Sequence, residues 1–290
     1  HGKLILFGEH GVVHGRPALA AAVARGVTLH ASPRENARGS LLRVQPWGLH
    51  LDLAGEPPSD AGARQLFQAM RVARELAGDG PELVMDADVS VPGGAGMGSS
   101  AALGVAVLKA FDHSRSVQRS DEEQGARALD WEKVFHGNPS GVDNTMAACG
   151  GVAVFTRGEP LRRLEPGCAL RLIVGHSGHA SSTKEMVASV ARQFEAAPGR
   201  VTPLFEGMRE CVVAASNAIS AGEVGFLGPL MARNHELLRQ LSLSTPALDE
   251  MCDVACAAGA LGAKVTGAGG GGCMISLVND DDTAQRVRSA

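Results

Sequence analysis

Apolar positions in the chain fall into short strand-like runs and longer runs at helical spacing, interleaved from end to end. Residues 3–7 form a short apolar run that predicts a strand, and GEHGVVHGRP after it predicts a turn bearing polar groups. Residues 17–24 are small and apolar, 27–31 alternate as a strand does, and 41–53 alternate weakly around a turn at Pro46. Over 63–77, Leu66, Phe67, Met70, Ala73 and Leu76 recur at helical spacing. Residues 83–91 alternate partly and end in VSV, and a glycine-rich loop follows. Residues 100–111 are apolar nearly all round, which predicts a buried helix. A second helix is expected over 121–135, with Ala128, Leu129, Trp131, Val134 and Phe135 on its inner side. HGNPSGVDN then reads as a loop and 152–156 as a strand.

The pattern changes at 157–167, a polar stretch with two prolines that predicts a domain boundary. Beyond it come a strand at 170–175, helices at 182–194, 203–220, 224–240 and 246–260, and strands at 263–266 and 273–278 around GAGGGG. No repeat of fixed period is present. The expected organisation is a mixed chain of two lobes, 1–165 and 166–290, without a clean βαβ rhythm. The opening residues read as the interior of a longer pattern and DDTAQRVRSA as the start of a helix, so both ends are expected to be cut.

Composition narrows the function classes. The 290 residues suffice for a large core, and 44% hydrophobic with 20% charged residues is ordinary for a globular protein. A net charge of −4 offers no global basic field for nucleic acid or an anionic membrane. No apolar run is long enough to span a bilayer. The six cysteines are irregularly spaced, with Cys252 and Cys256 one helical turn apart. They read as small buried residues in a reducing compartment rather than as a disulfide or metal set. The 37 glycines are clustered, which marks places where backbone approaches something closely or turns left-handed.

Four segments carry candidate chemistry. PGGAGMGSSAA, residues 92–102, joins a strand to a buried helix, and unpaired N–H groups at a helix start favour an anion. It lacks the lysine of a P-loop. Gly96, Gly98 and Ala101 fit a dinucleotide fingerprint, but no strand ending in an acidic residue follows at the required distance. A phosphate cradle and a ligand-free turn both remain readings of this loop. EKVFHGNPSGVDN contains Glu132 in a predicted helix and Asp143 in a predicted loop. One carboxylate could hold Mg2+ and the other orient a hydroxyl; the bland alternative is a solvated helix glutamate and a turn aspartate. KVTGAGGGGC, residues 264–273, is either a flexible hairpin or, the favoured reading, a loop that must pass close to a ligand or another loop. At the start, Lys3 precedes Gly8-Glu9-His10-Gly11 and could reach a phosphate or a hydroxyl.

Taken together and in this order, these segments resemble the GHMP kinase family: a GK-strand-GEH start, a P-x-x-x-G-x-G-S-S-A loop and a late glycine-rich loop. Within it, GEHGVVHG and EKVFHGNPSGVDN are similar to the members that phosphorylate mevalonate. A galactokinase-like GEH-T-D-Y turn is replaced by Gly11-Val12-Val13. The resemblance implies an α+β fold with a ribosomal-protein-S5-like N-terminal lobe and a ferredoxin-like C-terminal lobe. It implies a cytoplasmic enzyme of isoprenoid biosynthesis that takes ATP, Mg2+ and mevalonate. The family allows a homodimer, although the residues do not set an oligomeric state. Pro92, Gly93, Gly94, Ala95, Gly96, Met97, Gly98, Ser99 and Ser100 would wrap the ATP phosphates. Ser100 and Glu132 would ligate the metal. Asp143 would act as base or orienting carboxylate, with Lys3 beside it. Glu9, His10 and Thr183 would hold the acceptor, and the 264–273 loop, with Gly267, would stabilise the phosphate loop. The rival readings are a phosphomevalonate kinase using Arg16, Lys184 and Arg192 for a substrate phosphate, a homoserine kinase, and a nucleotide-binding protein without catalysis. Two departures stand out: His1 replaces the usual proline before Gly-Lys, and the chain has no tyrosine.

Overall fold

The computed structural model describes residues 1–179 and 181–290. Along the chain run β1 (Gly2–Phe7), β2 (Ala18–Val23), β3 (Val27–Pro33), β4 (Leu41–Val44) and β5 (Leu49–Asp52). Helix α1 (Ala61–Ala77), β6 (Leu83–Val89), α2 (Ser99–Ser114), α3 (Asp121–His136) and α4 (Val142–Cys149) follow. Next come β7 (Val152–Phe155), β8 (Arg162–Leu164), β9 (Arg171–His176), α5 (Thr183–Ala196), α6 (Pro198–Ala221), α7 (Leu227–Gln240) and α8 (Pro246–Ala257). The chain closes with β10 (Gly262–Thr266), β11 (Cys273–Val278) and α9 (Asp281–Ser289). Among the described residues no helix is long and apolar enough to cross a membrane.

Two compact units form, and the chain passes between them more than once. The first comprises His1–Lys3, Ala22–Gly93 and Met97–Gly150; the second comprises Leu4–Ala21, Gly94–Gly96 and Gly151–Ala290. The stretch 157–167, polar enough to suggest a linker, carries β8, whose Arg162 to Leu164 pair antiparallel with β7.

In the first unit a sheet of order β3-β6-β4-β5 is antiparallel except where β4 runs parallel to β6. Strand β6 shows the two-residue period of a half-buried strand: Leu83, Met85, Ala87 and Val89 are buried and the residues between them are not. Helix α1 turns Leu66, Phe67, Met70 and Ala73 inward and is capped by Asp60, whose side chain accepts from Ala63 N at 2.8 Å. Helix α2 is buried along most of its length. Helix α3 starts with a capping box in which Ser120 Oγ accepts from Glu123 N at 3.1 Å and Glu123 Oε2 from Ser120 N at 2.8 Å. Helix α4 is not visible in the apolar pattern. It begins after Gly141, whose φ of 96° ends the preceding turn and launches the helix.

In the second unit a sheet of order β10-β11-β9 is antiparallel throughout, with Lys264 opposite Ile275 and Ile275 opposite Val174. Its core gathers Val190, Phe205, Met208, Leu238, Leu248 and Met274 from four helices and β11. Helix α6 begins at Pro198 rather than at residue 203. Proline at the first helical position loses no needed donor, and Pro203 is absorbed inside the helix. A further sheet runs in the order β1-β2-β7-β8. Among the described residues no disulfide joins the six cysteines, four of which are buried and Cys256 exposed.

Candidate active site

In the first unit Lys3 and Asp143, 140 positions apart in sequence, are an ion pair. Lys3 Nζ stands 2.7 Å from Asp143 Oδ1, and the side chains are 4% and 29% exposed. Strand β1 holds the lysine, and its backbone N donates to Met97 O at 2.9 Å, so the lysine is registered against the glycine-rich loop. Asp143 lies in the first turn of α4, not in a loop as its turn-rich surroundings predict. The positive end of the helix dipole favours its charge there. Gly98 closes against this pair: a Cβ added to it would stand 3.1 Å from Lys3 Cγ and 3.4 Å from Asp143 Oδ1.

Glu132 is sealed on α3 at 2% exposure, which rules out the solvated-glutamate reading. Ser100 Oγ donates to Glu132 Oε1 at 2.7 Å, and His136 Nε2 stands 3.4 Å from Oε2. Burial pushes the Glu132 carboxyl up to about 7, and the nearby charge of Asp143 pushes the same way, against the Ser100 hydrogen bond and Lys3. Burial also lowers the imidazolium of His136 from its usual range. The site therefore holds two carboxylates within electrostatic reach of each other, with Lys3 beside one of them. Such an arrangement favours a further cation.

The glycine-rich loop has the backbone of an anion cradle. Gly94, Gly96 and Gly98 lie at φ of 72°, 72° and 73°, while Ala95 and Met97 between them do not adopt positive φ. Alternation of this kind turns successive N–H groups toward one side and forms a concave nest. A Cβ at Gly94 or Gly96 would meet nothing within 4 Å, so the loop is not left-handed for want of room. Helix α2 starts at Ser99 with no side-chain cap, which leaves its first N–H groups for an anion. Ser99 is buried, and Ser100 is the serine that meets Glu132.

In the second unit the other predicted residues are placed differently. Glu9 and Lys264 are both 0% exposed and form an ion pair. The second oxygen of Glu9 accepts from Asn234 Nδ2 at 3.0 Å. His10 is buried, and its Nε2 donates to Ala268 O at 2.8 Å. Burial pushes His10 down to about 4. Both side chains expected to hold an acceptor are thus engaged within the protein, whereas Thr183 stands exposed as the first residue of α5. The loop after β10 is no flexible hairpin. Gly270 N donates to Leu243 O at 2.8 Å and Gly272 N to His179 O at 2.8 Å. A Cβ on Gly267 would stand 3.7 Å from Gly96 O, so this loop passes directly beside the phosphate loop. Arg16, a candidate for a substrate phosphate, is held by Glu206 at 2.7 Å.

Three residues of these clusters escape a reading by motif. Trp131 Nε1 reaches Ser100 Oγ at 3.3 Å, and a Cβ on Gly93 would stand 3.3 Å from Trp47 Nε1. Asn234 sits mid-helix in α7 with no motif around it. Trp131 carries a signal in its spacing, because Ala128, Trp131, Glu132 and Phe135 make one helical stripe that includes a carboxylate.

Comparison with known proteins bears on the family and the fold. The family model described as GHMP kinases N terminal domain matches residues 64–151, and that described as GHMP kinases C terminal matches 214–290. The mevalonate kinase of Pyrococcus horikoshii is 37% identical over 292 residues, covering 95% of this chain and 86% of the relative. That of Aeropyrum pernix is 33% identical, covering 99% and 90%. Among solved structures, L. major mevalonate kinase in complex with R-mevalonate superposes with a TM-score of 0.84 at 29% identity, covering 100% of this chain and 89% of the other. The chain belongs to the GHMP kinase family.

Proposed function

We propose that the protein is a mevalonate kinase, transferring the γ-phosphate of ATP to the 5-hydroxyl of mevalonate in isoprenoid biosynthesis. The observation that carries this reading is the Lys3–Asp143 pair set against Gly98 of the phosphate loop. It supplies a carboxylate for the hydroxyl proton and a fixed cation beside it, at the edge of an anion cradle. In this reading residues 1–165 contribute the phosphate loop and the catalytic carboxylate, and 166–290 form the second lobe. Phosphomevalonate kinase, the nearest rival, needs basic side chains for a second phosphate; Arg16 is paired with Glu206 while Lys184 and Arg192 stand exposed on α5, so similarity to mevalonate kinases is what favours mevalonate.

The residues fit a magnesium ion. Ser100 Oγ and Glu132 Oε1 are hard oxygen donors 2.7 Å apart, and Glu132 is a buried acid in want of positive charge. Among the described residues no three His, Cys, Asp or Glu side chains gather as a metal cage, and magnesium shared with phosphates needs only one or two carboxylates. When bound there, Mg2+ would neutralise charge on the phosphate oxygens.

The protein's own groups do the rest. The N–H groups of 94–98 and of the first turn of α2 hold the phosphates. Asp143 takes the proton as the 5-oxygen bonds to the γ-phosphorus and the bond to the β,γ-bridging oxygen breaks, giving 5-phosphomevalonate and ADP. Lys3 favours the alkoxide. The transition state is loose, so positioning and charge supply most of the rate. Cysteines outside any disulfide suit a cytoplasmic, reducing compartment. A coupled assay of the purified chain with Mg·ATP and mevalonate, phosphomevalonate, homoserine or galactose tests the reading. Turnover is expected with mevalonate alone; turnover with another acceptor instead, or nucleotide binding with no turnover, would overturn it.

A further inference from the structure

Trp131 lies on α3 next to Glu132 and is 0% exposed, one of the largest side chains sealed in the first unit. An indole buried this deeply needs a partner for its N–H, and Nε1 donates to Ser100 Oγ at 3.3 Å. Helix α2 gives up a side chain to admit the ring. A Cβ at Gly104 would stand 2.6 Å from Cγ and Cδ1 of the indole and 2.9 Å from Cδ2. Glycine inside a helix is unfavourable, so α2 bears a local cost that lets the ring lie against it. Packing alone does not call for tryptophan here. A phenyl ring would meet Gly104 with its own Cγ and Cδ atoms and bring no buried donor that must be satisfied.

The Ser100 hydroxyl has one proton and two lone pairs. Its proton goes to Glu132 Oε1 at 2.7 Å, and one lone pair takes the Trp131 N–H. One lone pair is left over. Two adjacent residues of α3, 131 and 132, therefore fix the rotation of a hydroxyl on α2 from two sides. A helical serine without such partners turns freely, and its hydroxyl is drawn to a carbonyl of the preceding turn. The indole works against that rotation and keeps the proton on Glu132.

We propose that Trp131 is a positioning residue for the metal seat: its N–H holds the Ser100 hydroxyl on Glu132, so that the remaining lone pair of Ser100 and the Glu132 carboxylate are presented together to a divalent cation. Trp131 acts through Ser100 alone. This inference rests on reading Ser100 and Glu132 as the magnesium ligands and is indifferent to which acceptor is phosphorylated. The apolar pattern of α3 gives Trp131 no more than a place in the core; the hydrogen bond to Ser100 gives it a part in the chemistry. Partners that orient a metal ligand from behind typically change metal affinity about 10–100-fold when removed.

The test is Trp131→Phe, which keeps the ring contact at Gly104 and deletes the donor. Its effect is read as the affinity for Mn2+ in the complex with a non-hydrolysable ATP analogue, by electron paramagnetic resonance, in the wild-type and in the Ser100→Ala background. The expected result is affinity weakened about tenfold in the wild-type background and changed by less than about twofold in Ser100→Ala, where the indole has no hydroxyl left to orient. A loss of equal size in both backgrounds would make Trp131 a packing residue and overturn the proposal. No loss in the wild-type background, with Ser100→Ala itself weakened, would overturn it equally. A second measurement leaves Trp131 in place and decides the matter if Trp131→Phe does not fold. Trp47 and Trp131 are the only tryptophans, so nitrogen-15 labelled protein shows two indole N–H signals, which Trp47→Phe assigns. Ser100→Ala should move the Trp131 signal and leave that of Trp47 in place; an unmoved Trp131 signal would defeat the proposal. Mn2+ bound by Ser100→Ala as tightly as by the wild type would defeat the metal reading of Ser100 and the proposal with it. The expected Mn2+ results without mevalonate turnover would uphold the proposal and overturn only the acceptor.

Discussion

A carboxylate sealed under a helix does not stay ionised without help, and Glu132 is such a group, pushed up to about 7 by its burial. Glu132→Gln should keep the Ser100 contact and lose the charge. The Mg2+ concentration for half-maximal activity should rise about tenfold or more, with weaker Mn2+ binding by electron paramagnetic resonance; an unchanged metal dependence would remove Glu132 as a ligand. Asp143→Ala should lower kcat by about 10²–10⁴ while the ATP KM holds, as expected of a general base. His10 contributes at the level of stability. Its imidazole is held near 4 in the folded state against about 6.5 when unfolded. The unfolded chain therefore binds more protons between those values, and stability falls as pH drops from about 6.5 to about 4, by about 3 kcal/mol in full. Urea unfolding at pH 7 and pH 5 should show about 2 kcal/mol of this loss and His10→Gln should flatten it; parallel profiles would contradict the assignment. The stripe that Glu132 shares with Ala128, Trp131 and Phe135 is present in the sequence, yet its apolar members alone leave the glutamate open between a metal ligand and a solvated charge. The engagement of Glu9 by Lys264 was not legible there, because nothing local marks a partner 255 positions away.

Periodicity recovers the elements that carry their own apolar stripe, such as α1 and the alternating strand β6, and it fails where tertiary context supplies the order. Helix α4 is eight residues of mixed character, and it forms because Gly141 launches it and its buried face, including Val142, Met146 and Ala147, is sealed. Strand β8, Arg162–Leu164, has one buried residue in three and exists through its pairing with β7. Helix α3 is set by its capping box, so Ser120→Ala should cost about 1 kcal/mol in urea unfolding with little change in the ATP KM. Helices α2 and α3 meet at Gly104, where an added Cβ would stand 2.6 Å from the Trp131 ring. Gly104→Ala should lower stability by about 1–3 kcal/mol and, by shifting Trp131 away from Ser100, also weaken Mg2+ activation. Loss of stability with unaltered metal dependence would show that Trp131 packs without orienting the serine.

At the scale of the whole molecule, the order of the motifs carries the family, and the structure adds the side-chain geometry that the order cannot specify. Lys3 and Asp143 meet only once the chain has folded, and the two compact units exchange segments at 3–4, 21–22, 93–97 and 150–151. No single boundary in the sequence could mark that exchange. The choice of mevalonate as acceptor rests on similarity to mevalonate kinases, rather than on a contact to the acceptor. Its most direct test is the product itself. Phosphorus NMR of a reaction containing the chain, Mg·ATP and mevalonate should show one new phosphomonoester on the 5-oxygen, formed in step with ADP. ADP formed without a phosphomonoester, or phosphate found on the 3-oxygen, would contradict the account.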